Sequence, residues 1–145
     1  MQLHTTPPTA VLRRTHRLCL ETVGTHAAQA YAELHAEARS RGLTVNGAPI
    51  FAARGLPQDA HTPFDLDFCL PATGGDLPLL PALRCVRRIH EGPLAELFTR
   101  GYQPLLQAIA QAGLRTSGES REIYHAWHGP ESPANRIEIQ IGIEG

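Results

Sequence analysis

The order of apolar and polar residues follows two periods, which alternate along the chain. Residues 136–143 alternate strictly, with isoleucine at every second position and mostly polar side chains between, which predicts a strand with one buried face. Two other stretches carry apolar residues at helical spacing, and each predicts an amphipathic helix. Their apolar positions are Ala27, Ala30, Tyr31, Leu34 and Ala38 in the first stretch, and Leu94, Leu97, Gly101, Leu105, Ala108 and Ala112 in the second.

Glycine, threonine and proline residues predict where these helices begin and end. Gly42 and Gly113 follow the last apolar positions, and glycine closes a final helical turn because it adopts the left-handed conformation without strain. Thr25 is predicted to cap the first helix at its N-terminus. Pro104 lies inside the second stretch and lacks a backbone donor, so we expect a kink or a late start there.

The sequence also repeats itself after about 71 to 74 residues. Residues 10–16 match residues 84–90, and residues 31–43 match residues 102–114. Three shorter matches follow in the same order, namely residues 46–47 with 117–118, 50–51 with 123–124, and 65–70 with 136–141. Each half is therefore predicted to run strand, helix, strand, strand.

This order predicts an α+β fold built as a pseudo-two-fold tandem of two strand-helix-strand-strand units. We expect residues 1–145 to form a single domain, with a first repeat at about 8–71 and a second at about 81–144. The turn-rich residues 72–78 connect the halves. Each antiparallel sheet is expected to carry its helix on one side, so the association of the halves would leave a central ligand cleft.

Composition and charge narrow the range of partners. With 145 residues, 42% hydrophobic and 19% charged, the chain is typical of a globular protein. A formal net charge of −1 provides no broad positive surface for a phosphate backbone, so we predict no direct nucleic-acid binding. The first residues lack the pattern of a signal peptide and no apolar stretch could span a bilayer, which predicts a cytoplasmic location without a membrane partner.

The residue types that usually bind metals or cofactors do not cluster in the sequence. Cys19, Cys69 and Cys85 are widely spaced, which favours buried free thiols. His125 and His128 would point to opposite faces of an extended strand, so they cannot chelate one ion together. Zinc-binding, nucleophilic-serine and phosphate-loop motifs do not occur in the sequence. We therefore predict that the protein uses neither a metal nor a cofactor.

One candidate for chemistry lies in residues 121–127, which read as a strand. Glu122, Tyr124 and Ala126 would share one face, and Ile123 is expected to point towards the helix. A carboxylate beside an aromatic ring attracts delocalised cations and flat rings. The alternative interpretation is an ordinary surface carboxylate paired with Arg121 or Arg136.

Four further residues are candidates for the same site. Glu138 is expected on the matching face of the neighbouring strand, with Asp67 at the equivalent position of the first half. Both acids are equally compatible with a structural role, in which arginines such as Arg87 neutralise them. Phe51, which matches Tyr124 in the repeat, and Trp127, at the strand end, are predicted to line the site.

Several of these stretches together resemble the GyrI-like small-molecule-binding domain, which is also the effector-binding domain of AraC-type and MerR-type regulators. The matching stretches are residues 80–86, 90–93, 113–114, 121–124 and 136–139 in the second half, and more loosely residues 65–67 in the first. The sequence departs from the family at Leu94, Pro104 and His125. The resemblance implies two units around a cleft and a glutamate, Glu122 by position, that anchors lipophilic cations.

The resemblance leaves three functions open. The first is a stand-alone protein that binds or sequesters a lipophilic, aromatic or cationic compound, with a role in drug resistance. The second is a hydrolase that opens strained cyclopropane rings of DNA-alkylating natural products, with Glu122 and Tyr124 as catalytic residues. The third is a protein-binding module similar to a gyrase inhibitor. The sequence predicts neither the identity of the ligand nor the oligomeric state.

Overall fold

The computed structural model describes residues 2–55 and 59–145. The chain divides into two compact units. We call Pro8–Pro81 the first unit, and Met1–Pro7 together with Ala82–Gly145 the second unit. Both units combine antiparallel strands with a helix, which confirms the predicted α+β class and the strand-helix-strand-strand order.

The described residues form nine strands and two α-helices. In chain order these are β1 (His4–Thr5), β2 (Thr9–Leu18), α1 (Val23–Ser40), β3 (Thr44–Val45), β4 (Ile50–Arg54), β5 (Phe64–Thr73), β6 (Leu79–Leu80), β7 (Arg84–Glu91), α2 (Gln103–Gln111), β8 (Thr116–Ala126) and β9 (Arg136–Ile143). A short 3₁₀ turn, Leu20–Thr22, precedes α1. A second one, Leu94–Glu96, is followed by a π-helical segment, Leu97–Tyr102, which leads directly into α2.

In the first unit, β5 is the central strand. It pairs antiparallel with β2, β3 and β4, while β6 pairs with the start of β2. Helix α1 packs its predicted apolar face on this sheet. Its buried residues Ala30, Leu34 and Ala38 join a core that includes Leu66 and Phe68 of β5.

In the second unit, β9 lies between β7 and β8, and β1 pairs with the start of β7. The isoleucine face of β9 is buried as predicted. Ile137, Ile139, Ile141 and Ile143 pack with Leu97, Leu105 and Ile109 from the helical segments.

The strand registers show how the two halves correspond. The register of β2 on β5 equals that of β7 on β9, so residues 10–16 do correspond to residues 84–90 as predicted. The predicted match of residues 50–51 with 123–124 is wrong by two residues. Phe51 lies opposite Phe68, and the counterpart of Phe68 is Ile139, which lies opposite Glu122. Phe51 is therefore the counterpart of Glu122, because a strand register must be matched through the partner strand.

Both predicted C-terminal glycines close their helices in the same way. Gly42 has φ 67° and Gly113 has φ 70°, and the next residue of each donates its N–H to the carbonyl five residues back, Leu43 to Ala38 and Leu114 to Ile109. This pattern is a Schellman motif.

Of the two predictions about where the helices begin, one is wrong and one is confirmed. Thr25 is not a cap, because α1 already begins at Val23. The late start at Pro104 is confirmed, since α2 begins at Gln103 and holds Pro104 in its first turn, directly after the π-helical segment. Neither helix in the described part of the chain has the length and apolar character needed to cross a membrane.

Candidate ligand-binding site

Strand β8 presents Glu122 to the helical side of the second unit. Glu122 lies directly opposite Ile139 and Tyr124 lies opposite Ile137, and directly opposed residues share one face of a sheet. That face is the isoleucine face, which packs on the helical segments. The expectation that Ile123 points towards the helix is therefore wrong. Alternation predicted that Glu122 and Tyr124 share a face, but it could not identify the covered face.

Two tyrosine hydroxyls donate hydrogen bonds to the Glu122 carboxylate. The Tyr124 hydroxyl donates to Glu122 Oε1 over 2.8 Å, and the Tyr102 hydroxyl donates to Glu122 Oε2. Both tyrosine rings also pack against the isoleucine core. The carboxylate is thus partly buried, with a separate donor on each oxygen and apolar groups around it.

The protonation of Tyr102 keeps this arrangement in place. Burial, the negative charge of Glu122 and the hydrogen bond to it raise the pKa of the Tyr102 hydroxyl well above 10.0. Tyr102 therefore remains a donor over the physiological pH range. A hydroxyl with a raised pKa is also a weak proton source, which suits holding a charge better than transferring a proton.

No cation of the described protein neutralises Glu122. Throughout residues 2–55 and 59–145, no arginine or histidine side chain lies within 4.0 Å of its carboxylate oxygens. The alternative interpretation, in which Arg121 or Arg136 pairs with Glu122, therefore has no support from the geometry. A partly buried carboxylate with hydrogen-bond donors but no counter-ion is able to accept a cationic ligand.

The π-helical segment brings Tyr102 to the strand. Tyr102 is its last residue, immediately before α2. The preceding residue, Gly101, is buried, and a Cβ atom there would lie 2.5 Å from Ile139 Cδ1. The helical backbone thus approaches β9 more closely than any side chain at position 101 would allow, which lets the Tyr102 hydroxyl reach across to β8.

Trp127 lies next to this group of residues. Its ring packs edge-on against Tyr124, with the ring centroids 5.6 Å apart, and 45% of the residue is exposed. The position at the strand end agrees with the sequence-based expectation. An exposed aromatic ring beside a carboxylate offers a stacking surface for a flat or cationic ligand.

Glu138 is not on the matching face. It lies opposite Ile123 and therefore on the side of the sheet away from α2. Its Oε1 lies 2.9 Å from His125 Nε2, and its Oε2 accepts a hydrogen bond of 2.7 Å from the Gln140 amide. Burial acts to raise the pKa of Glu138, but the hydrogen bonds from Gln140 and His125 and the nearby positive charges outweigh it and lower the pKa.

In the first unit, Asp67 and Phe51 have different surroundings. Asp67 lies on the side of the sheet away from α1 and accepts a hydrogen bond of 2.6 Å from the Thr15 hydroxyl. Arg13 is 3.9 Å from its other oxygen. Phe51 packs on the helical side, stacked on Tyr31 and edge-on to Phe68.

The structure adds Tyr102 to the predicted site residues. The sequence contained one signal for it, the match of Tyr102 with Tyr31 at the same place in the repeat. That match indicated a shared helical position and gave no reason to expect a bond to a carboxylate on another element.

Comparisons with known proteins identify the fold. No family model matches the chain, and no curated protein matches its sequence. The fold is similar to the C-terminal domain of EcmrR, with a TM-score of 0.71 and 21% identity over 99% of this chain and 96% of that one. It is also similar to SAV2435 bound to tetraphenylphosphonium, with a TM-score of 0.58 and 15% identity over 99% and 93% of the two chains. A hydrolase from Listeria innocua matches with a TM-score of 0.64 and 13% identity over 99% and 92%.

One comparison corrects the prediction about nucleic acids. The fold is also similar to EcmrR as seen in the cryo-EM structure of the EcmrR–DNA complex in EcmrR-RPo, with a TM-score of 0.77 and 21% identity. This chain spans 56% of the length of that EcmrR chain. The prediction that excluded a nucleic-acid partner is therefore wrong, because this fold occurs in a protein that assembles with DNA. A net charge near zero argues against a broad phosphate-binding surface, but a domain of a longer chain can enter a DNA complex without one.

Proposed function

We propose that this chain is a small-molecule-binding domain of the GyrI-like type, which takes a lipophilic organic cation in the cytoplasm with Glu122 as the charged anchor. One observation carries the proposal. Glu122 is partly buried against an apolar core, its oxygens accept hydrogen bonds from Tyr102 and Tyr124, and no positive side chain of the described protein lies within ion-pair distance.

The chemistry of the group fits a large cation with delocalised charge. A small, strongly hydrated cation would lose its water on entering an apolar site, whereas a lipophilic cation has little water to lose. The aromatic rings of Tyr102, Tyr124 and Trp127 add cation–π attraction to the charge of Glu122. The fold similarity to SAV2435 bound to tetraphenylphosphonium supports the same ligand class.

The test uses tetraphenylphosphonium as the probe and isothermal titration calorimetry as the measurement. Removing the charge in Glu122→Gln keeps the shape of the side chain, so the affinity is expected to fall at least about tenfold, because a partly desolvated ion pair is lost. The neutral analogue triphenylphosphine oxide should bind weakly to both proteins.

Glu119→Gln is the matched control. Glu119 lies on the same strand, three residues earlier. Its backbone N–H donates to Ser117 Oγ, and its carboxylate accepts no hydrogen bond from a described residue. This variant should bind tetraphenylphosphonium like the unaltered protein. Equal affinity of Glu122→Gln and the unaltered protein would refute the anchor role.

A hydrolase is the second candidate function. The contact of Tyr124 with Glu122 places a proton donor beside a carboxylate, and the fold is similar to a hydrolase from Listeria innocua. In this reaction Glu122 would activate water while Tyr124 protonates the opening ring of a strained cyclopropane. Multiple turnovers on a cyclopropane-bearing alkylator, lost in Glu122→Gln, would establish it, whereas binding without product would exclude it.

A further inference from the structure

The sheet of the second unit has a groove on the face that points away from α2. The cavity has a volume of about 490 Å³ and is lined by Arg87, Arg88, Ile89, His125, Arg136 and Glu138. We call it the arginine groove. Because Glu122 lies on the helical face of the same sheet, the arginine groove does not share the carboxylate proposed to bind cations.

The charges of the arginine groove are unbalanced. Arg88 lies opposite Ile139, and its Nε donates to the Arg100 carbonyl on the helical side of the sheet. The charge of the groove therefore comes from Arg87, Arg136 and Glu138, an excess of one positive charge when His125 is neutral. Arg136 is exposed, and among the described residues no carboxylate lies within 4.0 Å of its guanidinium. Arg87 is half exposed and only just reaches Glu138, at 4.0 Å. Two guanidinium groups are therefore available to a ligand.

The one acid in the arginine groove is already occupied. The oxygens of Glu138 contact His125 and Gln140, so both oxygens already have a partner within the sheet. The contact with Glu138 also fixes the His125 ring at the edge of the groove. The fixed imidazole adds a further polar group that faces the same cavity as the arginines.

We propose that the arginine groove binds the phosphate group of a small phosphorylated organic molecule. A guanidinium presents paired N–H donors that match phosphate oxygens, and the two available guanidinium groups match a phosphate dianion better than a single carboxylate. Ile89, which is 38% exposed in the same cavity, offers apolar contact to the organic part. The volume fits one small molecule.

The experiment follows backbone and arginine side-chain resonances by nuclear magnetic resonance during titration with inorganic pyrophosphate at constant ionic strength. Saturable shifts are expected at Arg87, Ile89, His125 and Arg136, with a dissociation constant in the millimolar range or below. Arg87→Gln and Arg136→Gln should each weaken binding about tenfold, since each removes a charge-assisted hydrogen-bond pair.

Two controls keep this result independent of the cation site. Arg115→Gln removes an exposed arginine outside the groove, and Glu122→Gln removes the proposed cation anchor; both should bind pyrophosphate like the unaltered protein. Absence of saturable shifts, or unchanged binding in the double variant Arg87→Gln with Arg136→Gln, would overturn the proposal. Duplex DNA that binds through these two arginines while pyrophosphate does not would also overturn it.

Discussion

The two units place a tyrosine at the same point of their helical segments, but the two hydroxyls have different partners. In the first unit, Tyr31 directs its hydroxyl at the backbone carbonyls of Cys69, at 2.9 Å, and Ile50, at 3.2 Å. In the second unit, the counterpart Tyr102 donates to the side chain of Glu122. The same residue type thus closes a strand pair in one unit and holds a carboxylate in the other.

The residue opposite the central strand explains this difference. Phe51 occupies in the first unit the register position that Glu122 occupies in the second, and it stacks on Tyr31 with ring centroids 5.8 Å apart. An apolar ring completes the first core, whereas the carboxylate turns the same place in the second unit into a polar site within a core. A repeat can therefore share its scaffold while a single register position carries the chemistry.

The largest expected effect comes from giving the first unit the acid of the second. Phe51→Glu should lower the free energy of unfolding by about 3 kcal/mol, because it removes a packed ring and places a carboxylate beside a tyrosine whose hydroxyl is already engaged. Urea denaturation measures the change. Phe51→Leu, which stays apolar, should cost clearly less, and equal losses in the two variants would show that the charge is irrelevant.

The close helix approach of the second unit predicts the next effect. Gly101→Ala should cost about 2 kcal/mol of unfolding free energy, because the new Cβ meets Ile139 Cδ1. The first unit has Ala30, fully buried, at the corresponding position. In an Ile139→Val background, which lacks Cδ1, the same glycine substitution should cost less. Additive losses in the double variant would contradict this contact.

The smallest effect separates the two tyrosines. Tyr31→Phe and Tyr102→Phe should each cost about 1 kcal/mol of unfolding free energy through a lost hydrogen bond. The loss of unfolding free energy caused by Tyr102→Phe should be smaller in a Glu122→Gln background, because a hydrogen bond to a neutral amide is weaker than one to a carboxylate. The loss caused by Tyr31→Phe should not change. A double-mutant cycle by urea denaturation measures the coupling. Equal coupling of both tyrosines to Glu122 would contradict the assignment.

The sequence predicted most of the scaffold because its signals are local. Helical spacing identified the buried residues Ala30, Leu34 and Leu105, and Gly42 and Gly113 marked both helix ends through their left-handed conformation. The alternation of β9 predicted its buried isoleucines. Each of these signals depends on residues within one or two turns or on a strand period, which a single sequence displays directly.

The site was predicted less well because its geometry depends on contacts between distant residues. Alternation put Glu122 and Tyr124 on one face, but only the pairing of Glu122 with Ile139 shows that this face is covered by the helical segments. The apolar character of Ile123 suggested the opposite. Glu138 was assigned to the wrong face for the same reason. The hydrogen bond from Tyr102 to Glu122 depends on a π-helical segment, which the spacing of apolar residues did not predict.

Strand β1 makes the second unit discontinuous along the chain. His4 and Thr5 pair with Cys85 and Arg84, and Thr6 exchanges hydrogen bonds with Leu83. During synthesis the first unit, Pro8–Pro81, emerges as one uninterrupted segment and can close while translation continues. Residues 2–7 have to wait for their pairing partners until Leu83, Arg84 and Cys85 leave the ribosome, so the order of folding is set by the order of the polypeptide.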